Sequence, residues 1–374
     1  MKLTLLSLIV RLFSQFFTAT TTSITIVPPT PVPQDSNVQW ISNSTGFDGP
    51  KVKPINDTTW DWWYFDAIQV SEDPDEQASV MATFYTATPN GFDSLIAYHN
   101  AGFTSLTLAE VNIVWPNGTH ETYIFNATEA VITTVGDGAS GVFEEGIHEA
   151  SFTGSPNMST YRVDLQSPWV SGSLTLQSIA PPHYPCGPAV AGQSLEIMPH
   201  VGWANAIPDA VSTVELTVGG HPLTFTGIGY HDKNFGEQNF GSNVGSWYWG
   251  HGRLGEYSVV WFDGLTPERQ NFVSAYVARN NEILIAQCSG VTVRPYGEDA
   301  TYPPLISTEP PSGFVVNFTL PDRDLDLTAA GKHVIAGGRA GLRYTRWSGT
   351  LEGVIDGELL TGDTMFEQFN FFTE

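Results

Sequence analysis

The chain has 374 residues and a mass of 40.8 kDa, a length that suits two domains. Its 15 Lys and Arg stand against 39 Asp and Glu, a formal net charge of −24, so nucleic acid and anionic membrane surfaces are repelled as partners. Hydrophobic residues at 41% with only 14% charged exclude a disordered chain, and 36 Gly with 25 Pro punctuate it too densely for long helices.

In chain order, Met1-Lys2 precede an apolar run over residues 3–10, which Arg11 interrupts, and the small residues Thr18-Ala19-Thr20 close the segment. That layout is a secretory signal peptide over residues 1–20. No other stretch approaches the roughly 20 apolar residues that a membrane anchor needs, so the expected location is the secretory pathway or the cell exterior. Six glycosylation sequons fit that route, at Asn43, Asn56, Asn117, Asn126, Asn157 and Asn317. Cys186 and Cys288 make an even pair, which an oxidising compartment joins into one disulfide closing a long loop.

Pro28-Pro29-Thr30-Pro31-Val32-Pro33 reads as an extended lead into the fold. Alternating β-branched and aromatic residues over 79–86 predict a strand. Four hairpins follow from paired strand patterns around turn residues: Pro116-Asn117-Gly118, Gly219-Gly220, Asn280-Asn281 and Asp356-Gly357. No amphipathic helix of 12 or more residues is evident, so the fold class is all-β, an antiparallel barrel or sandwich. The Gly-rich stretch 236–245 is the natural boundary between an N-terminal β domain, 21–235, and a C-terminal one, 236–374.

Three segments concentrate aromatic and polar groups. In Trp60-Asp61-Trp62-Trp63-Tyr64-Phe65-Asp66, strand alternation puts Trp60, Trp62, Tyr64 and Asp66 on one face and Asp61, Trp63 and Phe65 on the other. Tyr230-His231-Asp232-Lys233-Asn234 is the second. Trp247-Tyr248-Trp249-Gly250-His251, followed by Trp261-Phe262-Asp263, is the third. No Gly-x-Ser-x-Gly elbow, His-Glu-x-x-His helix, P-loop or dinucleotide fingerprint occurs, so no metal is expected. Carboxylates beside tryptophan (Asp61, Asp66, Asp232, Glu237, Asp263) leave a carbohydrate-active reading open, with indoles stacking on sugar rings.

The three segments resemble the hydroxyneurosporene synthase-like family, with its Trp-x-x-Trp-Tyr-Phe-Asp strand, Tyr-His-Asp-x-Asn signature and Trp-x-x-Gly and Trp-Phe-Asp pair. Within it they are most similar to the fungal Diels–Alderases, above all the secreted type that joins a tropolone quinone methide to a humulene-type sesquiterpene. The resemblance implies two lipocalin-like β domains packed together, a pocket at their interface, small hydrophobic substrates and no metal or organic cofactor.

A cycloaddition requires no nucleophile or proton relay, only a dry pocket that holds two reactants face to face. As a quinone methide reacts, negative charge grows on its carbonyl oxygen, and a positioned donor there lowers the barrier. The residues singled out for that role are His231, Lys233, Tyr64 and Arg343. Those expected to shape the substrate site are Trp60, Trp63, Phe65, Asp232, Asn234, Trp247, Trp249, His251, Trp261 and Trp347. A hydratase using Asp232 or His231 as general acid, and a non-catalytic carrier of a hydrophobic ligand, are the alternatives that use the same pocket.

Overall fold

The structure is a computed structural model that describes residues 22–298, 300–338 and 341–373; the signal peptide expected over residues 1–20 lies outside them. Among the described residues the strands form a 15-stranded sheet, a 9-stranded sheet and a two-stranded ribbon of Asn37–Val38 with Val52–Lys53. The two large sheets are antiparallel and curl into half-barrels, the all-β architecture expected.

All four anticipated hairpins form. Gly219 and Gly220 link Val201–Val218 to His221–Gly236 with φ of +57° and +85°, a backbone that glycine adopts without a Cβ clash. Asn280 and Asn281, and then Asp356 and Gly357, turn their hairpins at positive φ as well. The two long strands of the first sheet carry register shifts around Ile207, where Pro208 cannot donate to the ladder and a bulge accommodates it.

The first sheet ends at Gly236 and the second begins at Ser246. Three apolar cores result. One fills the first barrel around Trp63, Phe65, Phe84 and Phe152. A second fills the other barrel around Trp261, Phe314, Trp347 and Phe366. The third lies between the sheets and holds Trp60, Trp62, Tyr64, Tyr230, Trp247 and Trp249. Strands that serve two cores have both faces covered, so Trp60–Gln69 is buried at every position but its last.

Polar ties also cross between the sheets. Arg253 and Ser258 converge on Asp209, with Arg253 Nη2 2.6 Å from Oδ1 and Ser258 Oγ donating to Oδ2 at 2.6 Å. The Cys186–Cys288 disulfide expected from the even count is present, with Cα atoms 4.5 Å apart across 102 residues of chain. It fastens the segment after Tyr184 to the end of Glu282–Gln287. Of the sequon asparagines, Asn43, Asn117 and Asn157 are exposed, whereas Asn56, Asn126 and Asn317 are half-buried. The side-chain amides of those three already donate to Gln34, Glu145 and Asp326. No helix among the described residues is long and apolar enough to cross a membrane.

Candidate active site

The site follows from strand register. Trp60–Gln69 pairs with His221–Gly236 on one side and Ser79–Ala87 on the other, and Ser79–Ala87 pairs with Thr107–Val114. Alternation then lays three rows across the face turned to the second sheet. They are Asn234, Trp62, Tyr85, Leu108; then Asp232, Tyr64, Thr83, Glu110; then Tyr230, Asp66, Met81, Asn112. The second sheet answers with Trp247, Phe369, Tyr344 and with Trp249, Glu367, Arg346, each triple aligned across three strands. Between these surfaces lies a cavity of about 560 Å³, a size suited to a small organic ligand. The short helix Ile96–Asn100 supplies one wall through Ile96, Ala97 and Tyr98.

The cavity is rich in aromatic residues and carries a buried cation. Arg346 is buried, its Nε 2.9 Å from Glu367 Oε2 and its Nη2 also on that oxygen. Tyr344 OH donates to the same carboxylate at 2.9 Å. The guanidinium carbon sits 4.3 Å from the centre of the Tyr64 ring and 5.4 Å from that of Trp249, a cation–π placement. Burial disfavours the charge, yet Glu367, then Tyr344 and Tyr64, hold the Arg346 pKa well above the ordinary guanidinium value. The indole N–H of Trp247, a lining residue, has no hydrogen-bond partner among the described residues.

A second ionisable group on the wall is Asp232. Its Oδ2 accepts from Trp203 Nε1 and Tyr230 OH, each at 2.7 Å. Burial raises its pKa to about 7, the bonds from Tyr230 and Trp203 opposing that rise. Near neutral pH it is therefore a group able to give up a proton.

Of the four residues singled out as donors, two line the cavity. Tyr64 contributes its ring, but its hydroxyl donates to Asp66 Oδ2 at 2.7 Å and meets Met365 Sδ at 3.0 Å; it braces Arg346 instead of offering a proton to a ligand. Arg343 stands at the mouth, half-exposed, 3.4 Å from Asp93 Oδ2. His231 and Lys233 are corrected: alternation turns them into the first barrel. His231 Nδ1 meets Tyr64 O at 2.9 Å, Nε2 meets Asp48 Oδ2 at 3.1 Å, and the ring stacks on Phe65 at 3.9 Å. Lys233 Nζ lies 2.6 Å from Asp61 Oδ1 and 3.8 Å above the Trp63 ring. Burial pushes its pKa down, with Asp61 and Asp48 countering.

Among the residues expected to shape the substrate site, Asp232, Asn234, Trp247 and Trp249 line the cavity. Trp63 and Phe65 sit in the first barrel core, and Trp261 and Trp347 in the second; those four are corrected, each pointing to the far face of its strand. Trp60 lies beneath the wall, stacked on Trp62 at 4.5 Å. His251 lies behind it, Nε2 2.8 Å from Asp66 Oδ2 and its ring stacked on Tyr230 at 4.4 Å. The residues missed from sequence include Trp62, Tyr85, Glu110, Tyr344, Arg346 and Glu367. Trp62 was legible, since it shares a face with Tyr64. Arg346 and Glu367 meet only through strand pairing across 20 residues of hairpin, and nothing local announces that.

Residues 30–295 match the Diels-Alderase-like family. A quinolone epoxide rearrangement protein of Emericella nidulans is 35% identical over 355 residues, covering 90% of each chain. One from Penicillium thymicola is 34% identical over 346 residues, covering 90% of this chain and 92% of that one. A Diels-Alderase of Aspergillus flavipes is 30% identical over 193 residues, which is 51% of this chain and 44% of the other. Among solved structures, CghA with Sch210972 matches at a TM-score of 0.73 and 19% identity, covering 93% of this chain and 98% of that one. At that identity the likeness speaks for the fold.

Proposed function

The chain belongs to the Diels-Alderase-like family, and on that premise we propose that it catalyses an intermolecular hetero-Diels–Alder cycloaddition. The heterodiene is a quinone methide, of tropolone type, and the partner an electron-rich alkene such as a humulene-type sesquiterpene. The observation that carries this reading is Arg346, a buried guanidinium fixed by Glu367 in a cavity whose wall carries Trp62, Trp247, Trp249, Tyr64, Tyr344 and Phe369. As the two new bonds form, the heterodiene oxygen gains negative charge, and Arg346 is the donor for it. The aromatic walls supply rigid apolar area that holds the alkene against the diene. Orientation of this kind is worth up to roughly 7–11 kcal/mol in the best intramolecular cases. Exclusion of water protects the electrophile from hydration. The residues described need no organic cofactor for these roles.

The test is product analysis. The pure protein is incubated with an o-quinone methide released in place from a hydroxybenzyl precursor, together with humulene, with and without chelator. A chiral, protein-dependent adduct formed at the same rate in both arms supports the proposal. Ligand retained without turnover would instead make the protein a carrier.

One observation favours a second reading, the acid-assisted rearrangement of an epoxide. Asp232, whose pKa burial raises to about 7, is on the cavity wall, and two relatives similar over 90% of this chain are named quinolone epoxide rearrangement proteins. Here the Asp232 O–H would pass its proton to the epoxide oxygen as the C–O bond breaks, with Tyr230 and Trp203 holding the carboxylate left behind. Asp232→Asn separates the two, since it removes the acid and leaves the Arg346 donor. The expected location is secretory, with removal of residues 1–20 and glycans on exposed sequons; the disulfide supports that compartment.

A further inference from the structure

The cavity has a second polar pole that the donor at Arg346 leaves unused. Glu110 lies in the same row as Asp232 and Tyr64, at the opposite end. Two strand intervals separate it from Tyr64, over whose ring Arg346 is placed, or about 10 Å between backbones. Its carboxylate lines the cavity and is held from behind. Asn112 Nδ2 donates to Oε1 at 2.7 Å, and the Asn112 amide is itself oriented by Thr122 Oγ1, which donates to its Oδ1 at 2.7 Å. Tyr85 OH reaches Oε2 only at 3.4 Å, and Tyr98 of the short helix also bonds the group.

Among the described residues no Lys or Arg lies within ion-pair distance of Glu110, although Arg346 and Arg343 line the same cavity and are paired elsewhere. An ionised carboxylate only accepts, and it offers about four lone-pair positions on its two oxygens. An apolar ligand pressed against it would strip water from a charge and return nothing, a penalty that selects against such ligands. A hydroxyl or an N–H on the ligand removes that penalty.

We propose that Glu110 is a specificity-determining residue that accepts a hydrogen bond from an O–H or N–H donor on the substrate, at the end remote from the carbonyl that faces Arg346. The substrate class is then a bifunctional ring system, with a carbonyl at one end and a hydroxyl or lactam-type N–H at the other. This rests on the reading of the cavity as the substrate site.

The experiment is calorimetric titration of the full-length protein with a hydroxytetralone, which carries both groups, and with its methyl ether, which lacks the donor. Wild type should bind the hydroxy compound about 10- to 100-fold more tightly than the ether, the range for a hydrogen bond to a charged group. Glu110→Leu should erase that preference while binding the ether at least as well as wild type does. Glu110→Gln, which keeps the side chain's size, should narrow it to a few-fold and serves if the leucine variant does not fold. A wild type without preference, or a preference that survives in the variants, overturns the proposal. Turnover is read separately. Selective binding with no adduct from the quinone methide would overturn the cycloaddition alone, and adduct formation with no selectivity would overturn the role of Glu110 alone.

Discussion

His231 and Asp232 are adjacent in sequence and serve opposite sides of one strand: the imidazole stacks on Phe65 inside the first barrel, while the carboxyl lines the cavity between the sheets. Function and stability are therefore separated by a single residue step. His231→Ala leaves Asp48 Oδ2 with the Tyr161 hydroxyl, 2.7 Å away, and opens a hole beside Phe65, at a cost of about 3–5 kcal/mol, the range for truncating a buried ring. Thermal unfolding should show that loss, and rate and product selectivity measured well below the transition should stay near wild type. A large rate loss in a variant of unchanged thermal stability would return His231 to the site.

Arg346 should behave in the opposite way. Arg346→Lys keeps a positive charge but loses the fork that grips Glu367 and the flat face that lies over Tyr64. The rate of adduct formation should fall about 10²- to 10³-fold, the range for a lost oxyanion donor, with binding of the product analogue weakened far less. Single-turnover kinetics beside equilibrium binding checks the split.

Trp247 closes the cavity against Phe369 and packs edge-on to Phe262 at 4.7 Å. Trp247→Ala should widen the space and admit competing orientations of the alkene, eroding stereoselectivity more than total rate. Chiral chromatography of the adduct measures it, and an unchanged isomer ratio would remove Trp247 from the orienting wall.

Asp232 and Lys51 pull stability towards a minimum near pH 7, Asp363 (raised to about 6) adding to the acidic limb and His183 (lowered to about 4) opposing it. Asp232 titrates at about 7 in the fold against an ordinary 3.8. Between those values the unfolded chain loses a proton that the folded chain keeps, so stability falls as pH rises through that window. Lys51 is pushed down to about 7 from 10.5, first by burial and then by Lys233. From about 7 to 10.5 the unfolded chain holds the extra proton, so stability rises with pH. Urea denaturation across the range should show both limbs. Asp232→Asn should flatten the acidic one and Lys51→Met the alkaline one.

The Cys186–Cys288 bond closes a loop of 102 residues and fastens one sheet to the other. Its removal in a Cys186→Ala/Cys288→Ala double variant should cost about 3–5 kcal/mol, a model-dependent loop-closure value. Calorimetric melting of the variant beside wild type measures it. Thiol titration of denatured, unreduced wild type should find no free sulfhydryl, and two titrated thiols would refute the bond.

What the sequence determined by itself is the local grammar of the fold. Asn280-Asn281, Asp356-Gly357 and Gly219-Gly220 turn their strands because few other residues adopt positive φ cheaply. The even cysteine count foresaw the bond. Period-two alternation sorted Trp60, Trp62, Tyr64 and Asp66 from Asp61, Trp63 and Phe65. Alternation defines two faces without saying what each one meets. In an ordinary half-exposed strand, polarity marks the solvent side, but Trp60–Gln69 and the second half of His221–Gly236 are covered on both sides and carry aromatic and charged groups on both. Whether His231 or Asp232 faces the ligand, and whether Trp63 or Tyr64 does, was decided only when the second sheet closed over one of the two faces. The pairing of Arg346 with Glu367, and the alignment of Asp232, Tyr64, Thr83 and Glu110 across four strands, depend in the same way on register between segments far apart in the chain. That register is set by which apolar faces must be buried together, a property of the assembled sheets that no single segment contains.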